Sequence, residues 1–307
     1  MATRGLAWAL LPVFLCGAIG IGVAIILKGG GDDAGARSTP AARVDRFDGE
    51  RAYDHVAAQV ARGPRPAGSP ASRRLAEWLK SRLPNGRLET VPGGLRNVVG
   101  TLPGSKPAIV IGAHYDTKVV DGAPGFVGAN DGAGGTAVVL ELARALRATR
   151  RPAGAPELRF VLFDGEESPD DEADFYATGL RGSKAYAARH ADDLAAAIVV
   201  DFVGQPELEL KREGGSDEAL WERLRAAASR AGVERVFPGG EVGEVYDDHT
   251  PFARAGVPAI DLIDFDYGCF HRACDRLDQI DVRSLDATGE ALVELLRQKM
   301  PMRSGGQ

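Results

Sequence analysis

The sequence predicts an α/β fold, a three-layer sandwich in which a mostly parallel central sheet lies between helices on both faces. Beyond Pro103, short apolar segments alternate with longer segments that carry apolar residues at helical spacing. The short segments are almost wholly apolar, which is typical of parallel strands buried on both faces. The chain has 307 residues, 44% of them hydrophobic, which is ample for one domain with its own core.

Two helices are expected before the alternating region begins. Residues 50–61 precede the helix-breaking pair Gly63-Pro64, and residues 71–83 place Leu75 and Leu79 on one side. In the alternating region, apolar runs of about 4–8 residues favour strands, and the longer periodic segments favour helices. The expected strands are 108–112, 158–163, 197–200 and 259–263, and the further helices are 135–146, 182–190, 217–231 and 284–298.

The N-terminus carries an uncharged apolar segment, residues 5–27, which reads GLAWALLPVFLCGAIGIGVAIIL. A helix of about 20 apolar residues spans a bilayer, so the segment predicts a single transmembrane anchor. A cleavable signal peptide has a shorter apolar core, about 7–15 residues, followed by a small-x-small site that is not evident here. A buried core helix is the other alternative, but no amphipathic stripe is visible.

The chain is therefore expected to divide into five parts. The segment after the anchor is rich in Gly, Ala and small polar residues, which favours a flexible linker. The expected boundaries are a short tail at 1–4, the anchor at 5–27, the linker at 28–43, the main domain at 44–300 and a disordered tail at 301–307.

The distribution of charged residues indicates whether nucleic acid is an expected binding partner. The formal net charge is -6, and acidic and basic residues are mixed along the chain without a Lys/Arg run. Nucleic acid is therefore not expected as a partner.

Potential metal ligands follow the central strands at the points where the strands end. Because the carboxyl ends of parallel strands meet at one edge of the sheet, these side chains are expected to converge there. Taken singly, each could be a turn residue or a helix cap, but their joint placement is hard to explain by capping. Two imidazoles and three carboxylates suit one zinc ion, or a pair bridged by a carboxylate. The candidates are His114, Asp131, Glu167, Asp201 and His271.

The adjacent pair Glu166-Glu167 is the sharpest signal in the sequence. Two neighbouring carboxylates at the end of a strand repel each other unless a cation or a proton compensates. With Glu167 on a metal, Glu166 could hold a proton in transit.

Longer stretches of the chain resemble a known family. The matching motifs include GPRPAGSP, GAHYDTK, GFVGANDGAGG, FVLFDGEE, DDHTPFARAGVPAIDLID and FHRACDRLDQID. Between about Val44 and Gln298 the sequence is similar to peptidase family twenty-eight, the zinc aminopeptidases, and within that clan to the glutaminyl cyclases. The resemblance implies that the domain at 44–300 is zinc-dependent and catalytic and acts on the N-termini of peptides or proteins.

The resemblance also implies roles for individual residues. Three residues match the ligands of the zinc common to both branches: Asp131, Glu167 and His271. His114 and Asp201, with Asp131 as a bridge, match the ligands of a second metal ion in the aminopeptidases.

Two further positions match catalytic groups. Glu166 matches the catalytic acid/base. Asp247 matches a cyclase residue that is hydrogen-bonded in the active site, where aminopeptidases tend to have Ser. Asp201 stands beside them as a further catalytic candidate.

The sequence departs from the cyclases in the expected substrate wall. Cyclases carry Trp after the paired Glu, where this chain offers only Phe175 or Tyr176. Phe270 stands where cyclases have Trp before the final His, and Asp261 stands where they have His.

These observations leave three functions open. The first is a glutaminyl-peptide cyclotransferase, which converts N-terminal Gln to pyroglutamate and releases ammonia. The second is a zinc aminopeptidase or related exopeptidase of the same family. The third is a non-catalytic ectodomain, which the intact set of catalytic candidates disfavours.

Cys269 and Cys274 flank His271 and are the only cysteines outside the apolar N-terminal segment. In the cytosol they would stay reduced, whereas outside it they would oxidise to a disulfide. The anchor and a disulfide both require export, so we expect a Cys269–Cys274 bridge that directs His271 towards the metal. The expected location is therefore the membrane, with a single N-terminal anchor and an extracytoplasmic catalytic domain.

Overall fold

The computed structural model describes residues 38–170 and 172–298 of the chain. In these two ranges no helix has both the length and the apolar character that crossing a membrane requires. The predicted anchor at 5–27, both predicted tails and most of the predicted linker lie outside the described residues.

A six-stranded sheet forms the centre of the domain, in the order β1-β2-β4-β3-β5-β8. The four strands β4, β3, β5 and β8 run parallel, whereas β1 pairs with β2 and β2 with β4 in antiparallel fashion. Two two-residue strands, β6 and β7, pair outside this sheet. The strands are β1 (Arg87–Val91), β2 (Leu95–Leu102), β3 (Ser105–His114), β4 (Pro156–Phe163), β5 (Leu194–Val200), β6 (Arg212–Glu213), β7 (Glu241–Val242) and β8 (Ala259–Leu262).

The six longer helices of the described ranges follow the prediction closely, whereas two short ones, Phe175–Thr178 and Thr250–Arg254, were not predicted. Five of these helices begin at side-chain caps that accept a backbone N–H, namely Asp48, Ser69, Asp174, Asp217 and Asp281. The helices are α1 (Gly49–Val60), α2 (Pro70–Lys80), α3 (Ala133–Ala148), α4 (Phe175–Thr178), α5 (Arg181–His190), α6 (Glu218–Ala231), α7 (Thr250–Arg254) and α8 (Val282–Leu296).

The helices cover both faces of the sheet, as the three-layer prediction requires. On β3, Ile109 and Ile111 pack with α1, α3, α6 and α8, whereas Val110 on the opposite face packs with Tyr186 of α5 and Phe252 of α7. Because neighbouring strand residues point to opposite faces, a strand covered on both sides needs an unbroken apolar run. For this reason the strands β3, β4, β5 and β8 could be predicted from the sequence.

The hairpin of β1 and β2 was missed by the sequence analysis. The β1 residues are mostly exposed or half-buried and include charged side chains, so β1 lacks the apolar run of a buried strand. The turn between the strands contains Gly93 and Gly94, both with positive φ. The predicted helix at 71–83 ends earlier, at Lys80, ahead of Pro84, which disfavours a helical residue before it.

The domain also begins earlier than residue 44. Thr39 is buried, and its Oγ1 lies 3.1 Å from Oγ of Ser284 in α8. Arg43 donates its backbone N–H to the carbonyl of Ala231 at 2.7 Å. Residues 38–43, expected in the linker, therefore pack against the domain through polar contacts that their composition does not reveal.

Candidate metal and active site

All five predicted metal ligands converge at the carboxyl edge of the parallel strands, in two groups that share Asp131. In the first group, His114 Nε2 lies 3.3 Å from Asp131 Oδ1 and 3.5 Å from Asp201 Oδ1. In the second, His271 Nε2 lies 3.3 Å from Asp131 Oδ2 and 3.5 Å from Glu167 Oε1. One oxygen of Asp131 thus faces each group, as a bridging carboxylate would.

The atoms of these groups fit a metal ion better than they fit each other. Both ring nitrogens of His114, Oδ2 of Asp131 and Oε1 of Glu167 are buried without a hydrogen-bond partner. Their separations exceed a normal hydrogen bond of about 2.7–3.2 Å. Ligands at about 2.0–2.1 Å around a tetrahedral zinc stand about 3.3 Å apart, close to the spacing observed. Nitrogen and oxygen donors in this mixture suit zinc.

The loop that presents Asp131 is fixed from two sides. Asp275 accepts the backbone N–H groups of Asn130 at 2.8 Å and of Asp131 at 3.1 Å. The fully buried guanidinium of Arg65 donates to the carbonyls of Tyr115 and Gly128 at 2.9 and 3.0 Å. Asp131 therefore reaches the metal site from a rigid support, which a bridging ligand requires.

Asp116 positions the two glutamates, a role that the sequence analysis did not find. Its carboxylate accepts the backbone N–H groups of Gly165 at 2.9 Å, Glu166 at 3.2 Å and Glu167 at 3.3 Å. The residue adjoins the predicted ligand His114 in the motif HYD, but its function depends on backbone contacts across the sheet. The Glu166-Glu167 turn is therefore held in one conformation.

The pKa values of two buried carboxyl groups, Glu166 and Asp201, show why the site favours a bound cation. Burial, and next to it the charge of Glu167, raises the pKa of Glu166 well above its usual range. Burial also raises the pKa of Asp201 to about 7, despite the attraction of His114. Without a metal, ionisation of Glu166 and Asp201 is therefore unfavourable, and a bound cation would favour their charged forms.

A cavity of about 330 Å³ opens onto these ligands. Its walls combine the acidic groups with a cluster of aromatic rings. Phe202, Phe265 and Phe270 stand with ring centroids 5.3–5.7 Å apart, and Phe270 stacks on the His271 imidazole at 4.0 Å. The aromatic lining residues are Phe175, Phe202, Tyr246, Phe265 and Phe270.

The structure shows which of the aromatic residues predicted to form a substrate wall line the cavity. Phe270 and Phe175 line the cavity, whereas Tyr176 packs against Tyr246 at 5.4 Å and lies under the guanidinium of Arg254 at 3.6 Å. Sequence reasoning missed Phe202, Tyr246 and Phe265. The available signal was adjacency, since Phe202 follows Asp201 and Tyr246 precedes Asp247 directly.

Asp247 also lines the cavity and is buried. Its backbone N–H donates to Oγ1 of Thr250 at 3.2 Å, and its Oδ1 accepts the backbone N–H of Asp248. Its other oxygen, Oδ2, is buried without a hydrogen-bond partner. The carboxylate is therefore held at one oxygen and unpaired at the other.

The predicted Cys269–Cys274 disulfide is confirmed, with Cα atoms 5.4 Å apart, inside the usual range of about 4.4–6.8 Å. It brackets His271, whose backbone is left-handed (φ 49°) and whose side chain is 31% exposed. The bridge restricts an irregular loop that carries a candidate metal ligand.

Fold and site together define a metal-dependent α/β enzyme with its ligands at the carboxyl edge of the sheet. Residues 97–296 match the profile of peptidase family M28, so the chain belongs to that family and is an enzyme of it, as the motifs predicted. Among solved structures, it is similar to a glutaminyl cyclase from an Acidobacteriales bacterium (30% identity, TM-score 0.71, covering 87% of this chain and 98% of that one).

The similarity extends to both branches of the family. A leucine aminopeptidase precursor from Bacteroides thetaiotaomicron is 26% identical, with a TM-score of 0.74, over 84% of this chain and all of that one (100%). A glutaminyl-peptide cyclotransferase from Drosophila melanogaster is 27% identical over 223 residues, 62% of this chain. The match covers 61% of the fly protein, so the chain spans about six-tenths of that relative.

Proposed function

We propose that the protein is a zinc-dependent glutaminyl-peptide cyclotransferase, which converts N-terminal Gln to pyroglutamate and releases ammonia. The observation that carries the proposal is the shared cavity: Glu166 and Asp247 line the same small, aromatic-walled space as the candidate ligands Asp131, Glu167 and His271. The 30% identical bacterial glutaminyl cyclase, which matches over nearly its whole length, supports the same function.

Asp131, Glu167 and His271 would hold the zinc of this reaction. The buried, unpartnered Asp131 Oδ2 and Glu167 Oε1 lie 3.3 and 3.5 Å from His271 Nε2, and this arrangement fits such a ligand set. When bound there, zinc would supply Lewis acidity towards the γ-amide oxygen of the substrate Gln.

Glu166 is the group that moves the proton. The reaction forms a bond between the substrate's α-nitrogen and its γ-carbonyl carbon, and it breaks the bond from that carbon to the amide nitrogen. Glu166 accepts the proton that the α-amine loses and returns it to the departing nitrogen, so that ammonia leaves. The carboxyl lies inside the cavity and is only 8% exposed, which keeps the proton from exchanging freely with bulk water.

Asp247 orients the substrate's amine. Its carboxylate lines the cavity, and a carboxylate oxygen has lone pairs for more than one donor. Holding the α-nitrogen near the γ-carbonyl carbon brings the reacting atoms together before bond formation.

The aromatic wall favours cyclisation over hydrolysis. Phe202, Phe265 and Phe270 present apolar surface around the reacting groups and leave a cavity of about 330 Å³. A bound Gln side chain would displace water from the part of that space next to the candidate ligands. The nearest nucleophile is then the substrate's own amine.

An aminopeptidase is the second candidate, and one observation favours it. The group of His114, Asp131 and Asp201 is intact, buried and unpartnered at both His114 nitrogens, which fits a second metal ion. Aminopeptidase YwaD of Bacillus subtilis is 31% identical over 166 residues, half of this chain (50%) and 31% of that protein. A non-catalytic ectodomain is not proposed, because the chain is an enzyme of its family.

Two peptides that differ only in their first residue separate these candidates. The full-length protein, loaded with zinc, is incubated with a Gln-initiated and a Leu-initiated peptide. Release of ammonia from the Gln peptide without chain shortening supports the cyclase. Release of a free amino acid from either peptide contradicts it and supports the aminopeptidase.

We also propose that the protein is anchored in a membrane by residues 5–27, with the catalytic domain outside the cytoplasm. The uncharged apolar run supports the anchor. The Cys269–Cys274 disulfide supports an oxidising compartment. Carbonate extraction of membranes and protease treatment of intact cells test this: extraction into the soluble fraction contradicts the anchor, and protection of the domain in intact cells contradicts its orientation.

A further inference from the structure

A further cluster of possible ligands adjoins the catalytic cavity through Asp247 and shares no residue with the two metal groups above. It consists of Asp247 and His249, in the turn before α7, and Asp261 on β8. One ligand atom from each lies within 4.8 Å of the others. All three side chains are at most 3% exposed, so the cluster is closed to solvent.

Glu213 fixes the orientation of the His249 ring. The carboxylate of Glu213 accepts the backbone N–H groups of Gly215 at 2.8 Å and Val245 at 2.9 Å, and the hydroxyl of Ser216 at 3.0 Å. It therefore faces His249 Nε2, 3.2 Å away, as an acceptor, and the nitrogen on that side carries the hydrogen. The lone pair of His249 is then at Nδ1, on the side of the cluster.

Each residue of the cluster has a buried side-chain atom without a hydrogen-bond partner. These atoms are Asp247 Oδ2, His249 Nδ1 and both carboxylate oxygens of Asp261. A lone pair on Nδ1 opposite a carboxylate oxygen is unfavourable unless a proton or a cation lies between them.

The distance between imidazole nitrogen and carboxylate oxygen in this cluster matches that in the two candidate catalytic metal groups. His249 Nδ1 lies 3.5 Å from Asp261 Oδ2, and the imidazole–carboxylate separations in the two catalytic groups are 3.3 and 3.5 Å. In all three groups the imidazole nitrogen and its facing carboxylate are close, without a normal hydrogen bond between them; His114 and His249 are buried, whereas His271 is 31% exposed. In addition, Glu213 supports His249 as the carboxylate behind a metal-bound histidine usually does.

We propose that Asp247, His249 and Asp261 bind a further divalent cation, of the zinc class, at a closed structural site. One imidazole and two carboxylates are a ligand set that zinc accepts, and complete burial is typical of structural rather than catalytic sites. The ion ties the turn before α7 to β8. Its effect on turnover rests on the proposed function, because Asp247 also lines the catalytic cavity and the ion fixes the direction of that carboxylate.

Metal content tests the site without any measure of activity. The full-length protein and three variants are purified, dialysed against metal-free buffer after zinc loading, and measured for zinc per chain. Asp261→Ala and His249→Ala each remove one proposed ligand. Asp131→Ala removes the ligand shared by both catalytic groups and leaves the proposed site intact. Near-ultraviolet circular dichroism checks that each variant is folded.

The proposal predicts that Asp261→Ala and His249→Ala each hold one zinc fewer than the wild type, whereas Asp131→Ala still holds one. Glu213→Gln should keep the site but weaken it by about 10–100-fold, as loss of a supporting carboxylate usually does. Equal zinc in the wild type and Asp261→Ala would overturn the proposal and assign a shared proton to His249 and Asp261 instead. If Asp261→Ala does not fold, a folded Asp131→Ala without zinc overturns it equally. Because this test measures zinc content, a protein without cyclase activity would contradict the proposed function, whereas the presence or absence of the cation would still be decided by the zinc count.

Discussion

The disulfide beside His271 gives a quantitative test of how the site is supported. The change is the double substitution Cys269→Ser and Cys274→Ser in the full-length protein. Two effects are expected, one on the free energy of unfolding and one on zinc affinity, because the bridge both closes a loop and restrains a candidate ligand.

The size of each effect follows from the structure. With a sequence separation of 5, the loop-entropy relation gives about 2 kcal/mol of stability, at the low end for disulfides because the loop is short. The second effect acts through His271, whose backbone is left-handed and whose side chain is partly exposed. Without the bridge, the imidazole keeps its ring contacts with Phe270 at 4.0 Å and Phe126 at 6.3 Å, but the loop that carries it is no longer closed. Loss of support of this kind typically weakens metal binding by about 10–100-fold.

The assay combines urea unfolding with zinc competition against a chelator of known affinity. Cys16→Ser is the matched control, because it removes the remaining cysteine from the apolar N-terminal segment and leaves the loop unchanged. The control should behave as the wild type in both measurements. Zinc affinity unchanged in the double variant would refute the claim that the bridge positions His271, even if stability falls as expected.

Three further predictions concern single side chains. Glu166→Gln should retain zinc and lose about 10²–10⁴-fold in kcat, since an amide cannot accept the proton; the exposed Glu172→Gln is the control, and near-normal turnover of Glu166→Gln would reject its role. Phe270→Ala should raise KM about 3–10-fold, because aromatic contacts contribute about 0.5–1.5 kcal/mol; an unchanged KM argues against the substrate wall. Burial raises the pKa of Asp286 to about 7, above about 3.9 in the unfolded chain, so its contribution to stability is present below pH about 4 and is lost as pH rises through about 7. Asp286→Asn should therefore raise Tm modestly at pH 8 but not at pH 4, and the same shift at both pH values would contradict this.

The central sheet and the five ligands could be predicted from the sequence for the same reason. Parallel strands buried on both faces require unbroken apolar runs, and such runs end sharply where a polar side chain begins. His114 and Asp201 stand at two of those ends, so their convergence follows from the topology alone. The edge hairpin β1–β2 lacks that signal, because one side of an edge strand meets solvent and its sequence is mixed.

Other parts of the site depend on contacts that no local pattern encodes. Asp116 acts through three backbone N–H groups of a loop about fifty positions further along the chain. The wall formed by Phe202 and Phe265 exists only because two strand ends are adjacent in the sheet. The orientation of His249 depends on Glu213, a residue on a different element. The candidate ligands and the disulfide beside His271 could therefore be predicted, whereas the positioning residues Asp116 and Glu213 could not.

Anomalous diffraction from crystals of the zinc-loaded protein, recorded above and below the zinc absorption edge, would locate the metal itself. We expect a zinc peak among Asp131 Oδ2, Glu167 Oε1 and His271 Nε2, at about 2.0–2.2 Å from each atom. A crystal that contains zinc elsewhere, with no peak between these three side chains, would contradict this expectation.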